Sequence, residues 1–544
     1  MHRAVLAFLC AALPVAAQAF PPPPAPPGNP VTPNKVLLGM ALFWEEQMSS
    51  TNTVACGTCH IFAAGGSDPR SLTAIHPGAD GLFGTADDVR GSPGVPRSQA
   101  SGAYVASVFG IRAQVTPRKA PTVVNAAYLP KLFWDGRAES GVFRDPVTNQ
   151  IILNSGAALE NLVAQPPVNE IEMAHTGRSW TDVVARIGAA KPMALATNLP
   201  ARLQTFVQGQ SYPQLFQTAF GSAGVDAGRI VMAIATYLRT LVADQSRFDD
   251  FLRGTATLTS TEMFGFVHFE GNCRTCHTEA NASAFLAGPV VNDFRRTGVS
   301  AIPEDLGRGA VTGLVADNGK FRVPTMRNVA LRAPFFHDGS AGTLADVLAF
   351  YNRGGDFHVG QDPLVPALAG QVPPALANQI IAFLQTLTDP RVQNEQLPFD
   401  RPRLWSESVY VPTVLGTGTP GTGGAAPRAV AIEPPFVGNP RFTIGVDRTV
   451  GGALHVLGWD VSASAAGTTV IGLQVHLGLT PALTLITAPT PTATGPTGGY
   501  GSMTFALPPN PLLAGVTVYG QWLVADPQGP NGFATSDAFA LTLF

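Results

Sequence analysis

Four cysteines concentrate the chemistry of this sequence, and each pair has a histidine directly behind it: Cys56-Gly57-Thr58-Cys59-His60 and Cys273-Arg274-Thr275-Cys276-His277. Two thiols at this spacing share one helical turn, so both can form thioethers to a porphyrin while the next residue offers an imidazole to the iron. Disulfides, or one zinc site built from both pairs, are the competing uses of four thiols, but zinc does not require a histidine immediately after each pair. The spacing therefore points to two covalently bound haem c groups. The motifs lie too far apart to share one small cytochrome fold, which places one haem in each of two domains. Apolar residues at helical spacing precede each motif: Val36, Leu37, Met40, Leu42 and Phe43 before the first, Met263, Phe264, Phe266, Val267 and Phe269 before the second.

The rest of the chain must carry these motifs. Of its 544 residues, 45% are hydrophobic and 13% charged, which supplies cores and excludes a disordered chain. Gly 57 and Pro 48 favour turns and linkers between compact modules. With 34 Lys+Arg against 37 Asp+Glu, net −3 and no basic run, nothing neutralises a phosphate backbone, so nucleic acid is excluded as a partner.

Residues 1–19 read as a secretory signal peptide, with Arg3, an apolar stretch and Ala17-Gln18-Ala19 as the cleavage site. Cys10 leaves with it and follows Leu9, a poor lipid-attachment context. No later run of ~20 apolar residues offers a membrane span, so the expected location is periplasmic or secreted. After Asp389-Pro390 the composition changes. Residues 401–428, with the Gly/Thr/Pro-rich stretch 414–426, read as a linker. Beyond it, short β-branched runs such as Phe442–Val446, Val470–His476 and Gly515–Val524 predict a small all-β sandwich. The expected architecture is mainly α: haem domains at 20–222 and 223–400, that linker, and a β domain at 429–544.

An ordered set of motifs adds a resemblance. These are Leu38-Gly39 through Leu42-Phe43, Pro121-Thr122-Val123-Val124-Asn125, Phe133-Trp134-Asp135-Gly136-Arg137-Ala138, Glu172-Met173, Phe248-Asp249, Phe321 to Asn328, and Ala333-Pro334-Phe335-Phe336-His337-Asp338-Gly339. Over roughly residues 30–400 the chain resembles the bacterial dihaem cytochrome c peroxidase and MauG family. The resemblance implies that the first haem, on His60, reacts with peroxide and that the second, on His277, relays electrons. It implies Trp134 as a stepping stone between the haems and Glu172 as the distal acid, against core-tryptophan and salt-bridge alternatives. At the place of the family's second axial methionine stands Tyr351, as in MauG. A phenolate there would lower the haem potential; the alternative is a tyrosine packed on the haem edge. Met326 is a rival thioether at an apolar core position, and His337 is expected to hydrogen-bond rather than bind iron.

Departures are informative. Leu162 falls where the family has a glutamine, with Gln165 or Glu160 as substitutes. Ile111 falls at the distal histidine, leaving His76 as the remaining candidate and an open sixth position as the favoured picture. Lys119 and Arg332 replace two calcium ligands, and a lysine charge can take over part of the ion's electrostatic role. Separately, Asp80, Asp87 and Asp88 lie in a Gly-rich loop that reads either as a calcium site or as a solvated acidic turn. His175, His268, His358, His455 and His476 belong to no motif. The implied activity is reduction of hydrogen peroxide by a small periplasmic cytochrome c or cupredoxin. Alternatives are MauG-like oxidation of an organic or protein substrate through a high-valent dihaem state, and a non-catalytic electron-transfer cytochrome.

Overall fold

The computed structural model describes residues 20–277, 293–301, 304–489 and 495–544. The expected signal peptide lies outside them. Each haem half is built on two crossed helices that touch at a glycine. In the first half, Pro33–Phe43 crosses Ala227–Leu238, and a Cβ on Gly39 would lie 1.9 Å from the Ala233 carbonyl oxygen. Pro33 stands at the first helical turn, where an N–H has no intrahelical acceptor, and Asp226 caps its partner by accepting from the Arg229 N–H at 2.9 Å. In the second half, Ser260–Asn272 crosses Pro374–Gln385, and a Cβ on Gly265 would lie 1.9 Å from the Gln379 carbonyl oxygen. Only glycine allows backbones this close, and the contact aims the end of each leading helix at its cysteine motif.

The domain boundary expected at 222/223 is displaced. Ala227–Leu238 and on to Ala243 are buried in the first core with Leu38, Leu42 and Phe43, and Val392, Phe399 and Leu404 return to that core after the second half. The second core gathers Phe248, Phe269, Ile380, Phe383 and Leu384. The haem halves repeat one another beyond the helix pair. Pro121-Thr122 and Asn125 are answered by Pro324-Thr325 and Asn328, and Phe133-Trp134-Asp135-Gly136 by Phe336-His337-Asp338-Gly339, at one constant offset. Asn125 and Asn328 both take positive φ (61° and 57°), as do Phe133 and Phe336 (64° and 66°). In the second half Arg327 donates to both Asp249 oxygens at 2.8 and 2.9 Å, fully buried. Removing one partner of such a pair costs about 3–5 kcal/mol.

The C-terminal region packs a five-stranded antiparallel sheet against a three-stranded one. The first runs in the order 413–415, 533–542, 517–525, 455–460, 484–488, the second 428–430, 442–449, 499–505. Phe442, Ile444, Val446, Leu457, Trp522, Val524, Phe539 and Leu541 form their shared core. The 401–428 stretch is not a free connector: Thr413–Leu415 pairs with Ala538–Ala540, and the Trp405 N–H donates to Glu46 at 2.7 Å. The expectation of a mainly α chain is too strong. Helix accounts for 29% and strand for 20%, because the haem halves carry several two-stranded ribbons in addition to the C-terminal sheets.

Candidate active site

The first cysteine motif forms one wall of a cavity of about 750 Å³, a size suited to a cofactor. Cys56–Cys59 is a single helical turn, closed by the Thr58 hydroxyl accepting from the Ala55 N–H at 2.8 Å. A Cβ on Gly57 would strike the Trp44 ring at 2.1 Å, so glycine lets the turn lie flat on that indole. Neither thiol is in a disulfide; burial pushes Cys56 up to about 12 and Cys59 higher still. His60 completes the wall. Its Nδ1 lies 3.1 Å from the Gly66 carbonyl, so Nδ1 carries the proton and Nε2 keeps its lone pair for a metal. Burial lowers its basicity, which favours the neutral ring that ligation needs. A matched thiol pair, a neutral imidazole and an apolar cavity fit a haem c group. Among the described residues no cluster of three His, Cys, Asp or Glu side chains is placed to hold a metal ion.

Glu172 lines the same cavity, with Leu162, Gln165 and Arg137. Burial raises the Glu172 carboxyl above its ordinary value, and the Arg137 charge works against this. Arg137 is itself fixed: its guanidinium lies 3.6 Å over the Phe133 ring, donates to Asp135 at 2.8 Å and donates to the Gln165 amide oxygen at 2.9 Å. The two substitutes considered for the missing glutamine part here. Gln165 is in the cavity wall, whereas Glu160 is fully buried in a bidentate pair with Arg239 at 2.8 and 2.9 Å. His76 also lines the cavity, and its buried Nδ1 meets no hydrogen-bond partner among the described residues. Ile111 does not line it; it is buried against Val430 of the C-terminal region.

Trp134 stands where the halves meet. Its indole N–H donates to the Lys119 carbonyl at 2.8 Å, its carbonyl accepts from the Arg322 N–H at 2.8 Å, and its ring lies 6.4 Å from His337. His337 stacks on Phe321 at 3.6 Å. Sequence reading valued Trp134 and missed that His337 is its counterpart in the repeat; the constant offset of the two motif sets was the available signal. The Lys119 ammonium donates to the Arg332 carbonyl at 2.7 Å and to the Pro334 carbonyl. Arg332 in turn donates to the Thr325 carbonyl. Burial and the Arg332 charge push Lys119 down to about 7. A side-chain cation thus bridges the halves where a calcium ligand set was doubted.

In the second half, Cys273 follows its helix directly, the Cys273 N–H donating to the Phe269 carbonyl at 2.8 Å and the His277 N–H to the Cys273 carbonyl at 2.9 Å. Neither thiol is in a disulfide. Burial pushes the His277 imidazole down to about 4, against a raising contribution from the Pro324 backbone, and among the described residues Nδ1 meets no acceptor in hydrogen-bond geometry. A neutral, buried imidazole beside two thiols fits a second haem c group. Tyr351, on the Leu344–Asn352 helix, packs against Phe336 at 6.4 Å and Phe350 at 5.3 Å. Burial first, then the charges of Cys273 and Cys276, push its phenol upward. Met326 is buried in the second core.

The acidic loop is held by its own turns. Asp87 accepts from the Ala79 and Asp80 N–H groups at 2.7 and 3.0 Å, Asp80 from Leu82 at 2.7 Å and Asp88 from Gly84 at 2.8 Å. The other Asp88 oxygen, Oδ1, is buried and meets no donor among the described residues.

Comparison with known proteins follows this geometry. The profile of the family described as di-haem cytochrome c peroxidase matches residues 33–257. Cytochrome c peroxidase Ccp of Escherichia coli (strain K12) is 29% identical over 383 residues, covering 69% of this chain and 63% of that protein. The chain thus spans less than two thirds of that relative's length. Methylamine utilization protein MauG of Methylorubrum extorquens is 28% identical over 375 residues, 67% of this chain and 81% of that one. A solved MauG-like protein associated with microbial copper homeostasis is 24% identical, with a TM-score of 0.49, covering 69% of this chain and 95% of that chain.

Proposed function

We propose that this chain, a dihaem cytochrome c peroxidase-like oxidoreductase, reduces hydrogen peroxide at the Cys56/Cys59/His60 site with electrons received through the Cys273/Cys276/His277 site. The observation that carries this reading is one cavity with the haem-attachment triad on one wall and Glu172, Arg137 and Gln165 lining it too. Bound haem c supplies the iron that takes electrons and passes them to peroxide. The cysteines would hold it covalently, and His60 and His277 would offer it their imidazoles. Glu172, its basicity raised by burial, takes a proton from one peroxide oxygen and returns it to the other, so that peroxide, two protons and two electrons give two waters. Arg137 keeps a positive charge beside that carboxyl, and its bonds to Asp135 and Gln165 hold it there. Trp134 joins the halves as an aromatic step for electrons.

A small cytochrome c or cupredoxin is the proposed donor, and the periplasm the proposed compartment. The described residues contain no helix long and apolar enough to cross a membrane. A second reading, oxidation of an organic or protein substrate in the MauG manner, is favoured by one observation: a half-buried tyrosine, Tyr351, stands on the Leu344–Asn352 helix of the half that carries Cys273 and Cys276, packed between Phe336 and Phe350. Peroxide-dependent oxidation of a reduced small cytochrome by the haem-loaded protein tests the first reading. Peroxide consumption only when an organic reductant is present, with the cytochrome left reduced, selects the second.

A further inference from the structure

The proposed chemistry leaves the C-terminal β domain without a role, yet that domain grips a segment that runs out from the peroxide cavity and back. Pro93–Pro96 and Ala113–Val115 pair as one ribbon, and Gly94 and Thr116 at its ends line the cavity. Between these strands, residues 97–112 leave the haem half and press into the three-stranded sheet. The Tyr104 hydroxyl donates to Glu433 at 2.9 Å and its N–H to the Ser502 hydroxyl at 3.1 Å. The Thr443 hydroxyl donates to the Gly102 carbonyl at 3.1 Å, and Arg441 donates to the Ala100 carbonyl at 2.5 Å. Tyr104, Ile111 and Val430 form a small buried core of their own, and a Cβ on Gly445 would strike Ile111 at 2.4 Å. That glycine is what lets the sheet accept the excursion.

The same excursion holds the cavity wall. The Phe109 ring packs edge-on against His76 at 5.8 Å and against Phe83 at 5.9 Å. His76 lines the cavity, and its buried Nδ1 meets no hydrogen-bond partner among the described residues, so the edge-on packing of Phe109 holds the direction of its ring. A surface loop of this length is ordinarily mobile; here one side is fixed by the β domain and the other touches the cavity.

We infer that the β domain is a positioning module for the peroxide cavity, holding residues 97–112 so that Phe109 fixes the His76 imidazole in the cavity wall. The inference rests on the haem reading of that cavity. The test uses full-length, haem-loaded, oxidised protein mixed with cyanide, a small ligand that must enter the cavity to change the first haem's absorbance. Phe109→Ala raises the cyanide binding rate several-fold, and Phe109→Leu stays near the parent rate. Tyr104→Phe, which removes one hydroxyl at the β-domain contact and touches nothing in the cavity, raises it by less. Hydrogen exchange of peptides covering 76–90 quickens in the Phe109→Ala and Tyr104→Phe proteins. Folded variants that keep the parent cyanide rate and the parent exchange, even with lowered melting temperature, overturn the inference and leave the β domain a stabiliser. If Phe109→Ala does not accumulate, Tyr104→Phe decides alone. A parent protein with no cyanide-sensitive haem strikes the peroxide reading instead, and the exchange measurement still decides the role of the β domain.

Discussion

At the position where the first haem half carries Trp134, the second carries His337, and the two rings meet 6.4 Å apart at the junction. Both halves use a glycine-crossed helix pair, a positive-φ asparagine and a positive-φ phenylalanine. They differ in what faces the cysteine motif. The first sets Glu172, Arg137 and Gln165 in a cavity large enough for peroxide beside a cofactor. The second brings up the phenol of Tyr351, packed among Phe336 and Phe350. On the proposed function, a repeated frame with different polar side chains in each half separates peroxide chemistry from electron storage. On this account the carboxyl moves protons, and the phenol sets a potential.

The sharpest way to break the comparison is to remove one thiol pair at a time. Cys56→Ser with Cys59→Ser abolishes peroxide turnover and leaves one covalent haem by mass. The Cys273/Cys276 double serine variant also loses turnover but still reacts with peroxide on rapid mixing. Glu172→Gln is expected to slow peroxide reduction by about 10²–10⁴-fold, the usual share of a positioned acid–base group, with both haems attached; a parent-like rate removes Glu172 from the proton path. Trp134→Phe slows electron exchange between the halves, read by rapid mixing of half-reduced protein. Tyr351→Met raises the second haem's potential in a redox titration, since thioether favours the reduced iron; an unchanged potential takes Tyr351 off the iron.

The smallest effect concerns the docked β domain. Burial raises Glu433 to about 8 from 4.5, with Tyr104 bonded to it and the Arg186 charge opposing. A carboxyl whose folded value is raised holds its proton longer in the native state, so its contribution is complete below about 4.5 and is lost as pH rises through about 8. Melting temperature should therefore decline over that window in the parent and vary less in Glu433→Gln.

What sequence made legible follows from how local each signal is. The two cysteine motifs are read within five residues, and the helices before them within three turns. Gln165, Arg137 and His76 come from irregular segments with no period, so nothing in their spacing says that they share a cavity. The boundary near residue 222 was misplaced because the partner of Ala227–Leu238 is the helix at 33–43, on the far side of the first half. Glycine-rich composition around 414–426 suggested a loose connector, while its strand pairing at Thr413–Leu415 depends on the last strand of the chain.

The central claim is that the two halves are chemically unequal and that only the first meets peroxide. Electron paramagnetic resonance of the oxidised protein, before and after one equivalent of hydrogen peroxide, tests it most directly. The account predicts one high-spin and one low-spin ferric signal, with the high-spin signal changed by peroxide. Two low-spin signals indifferent to peroxide would contradict it.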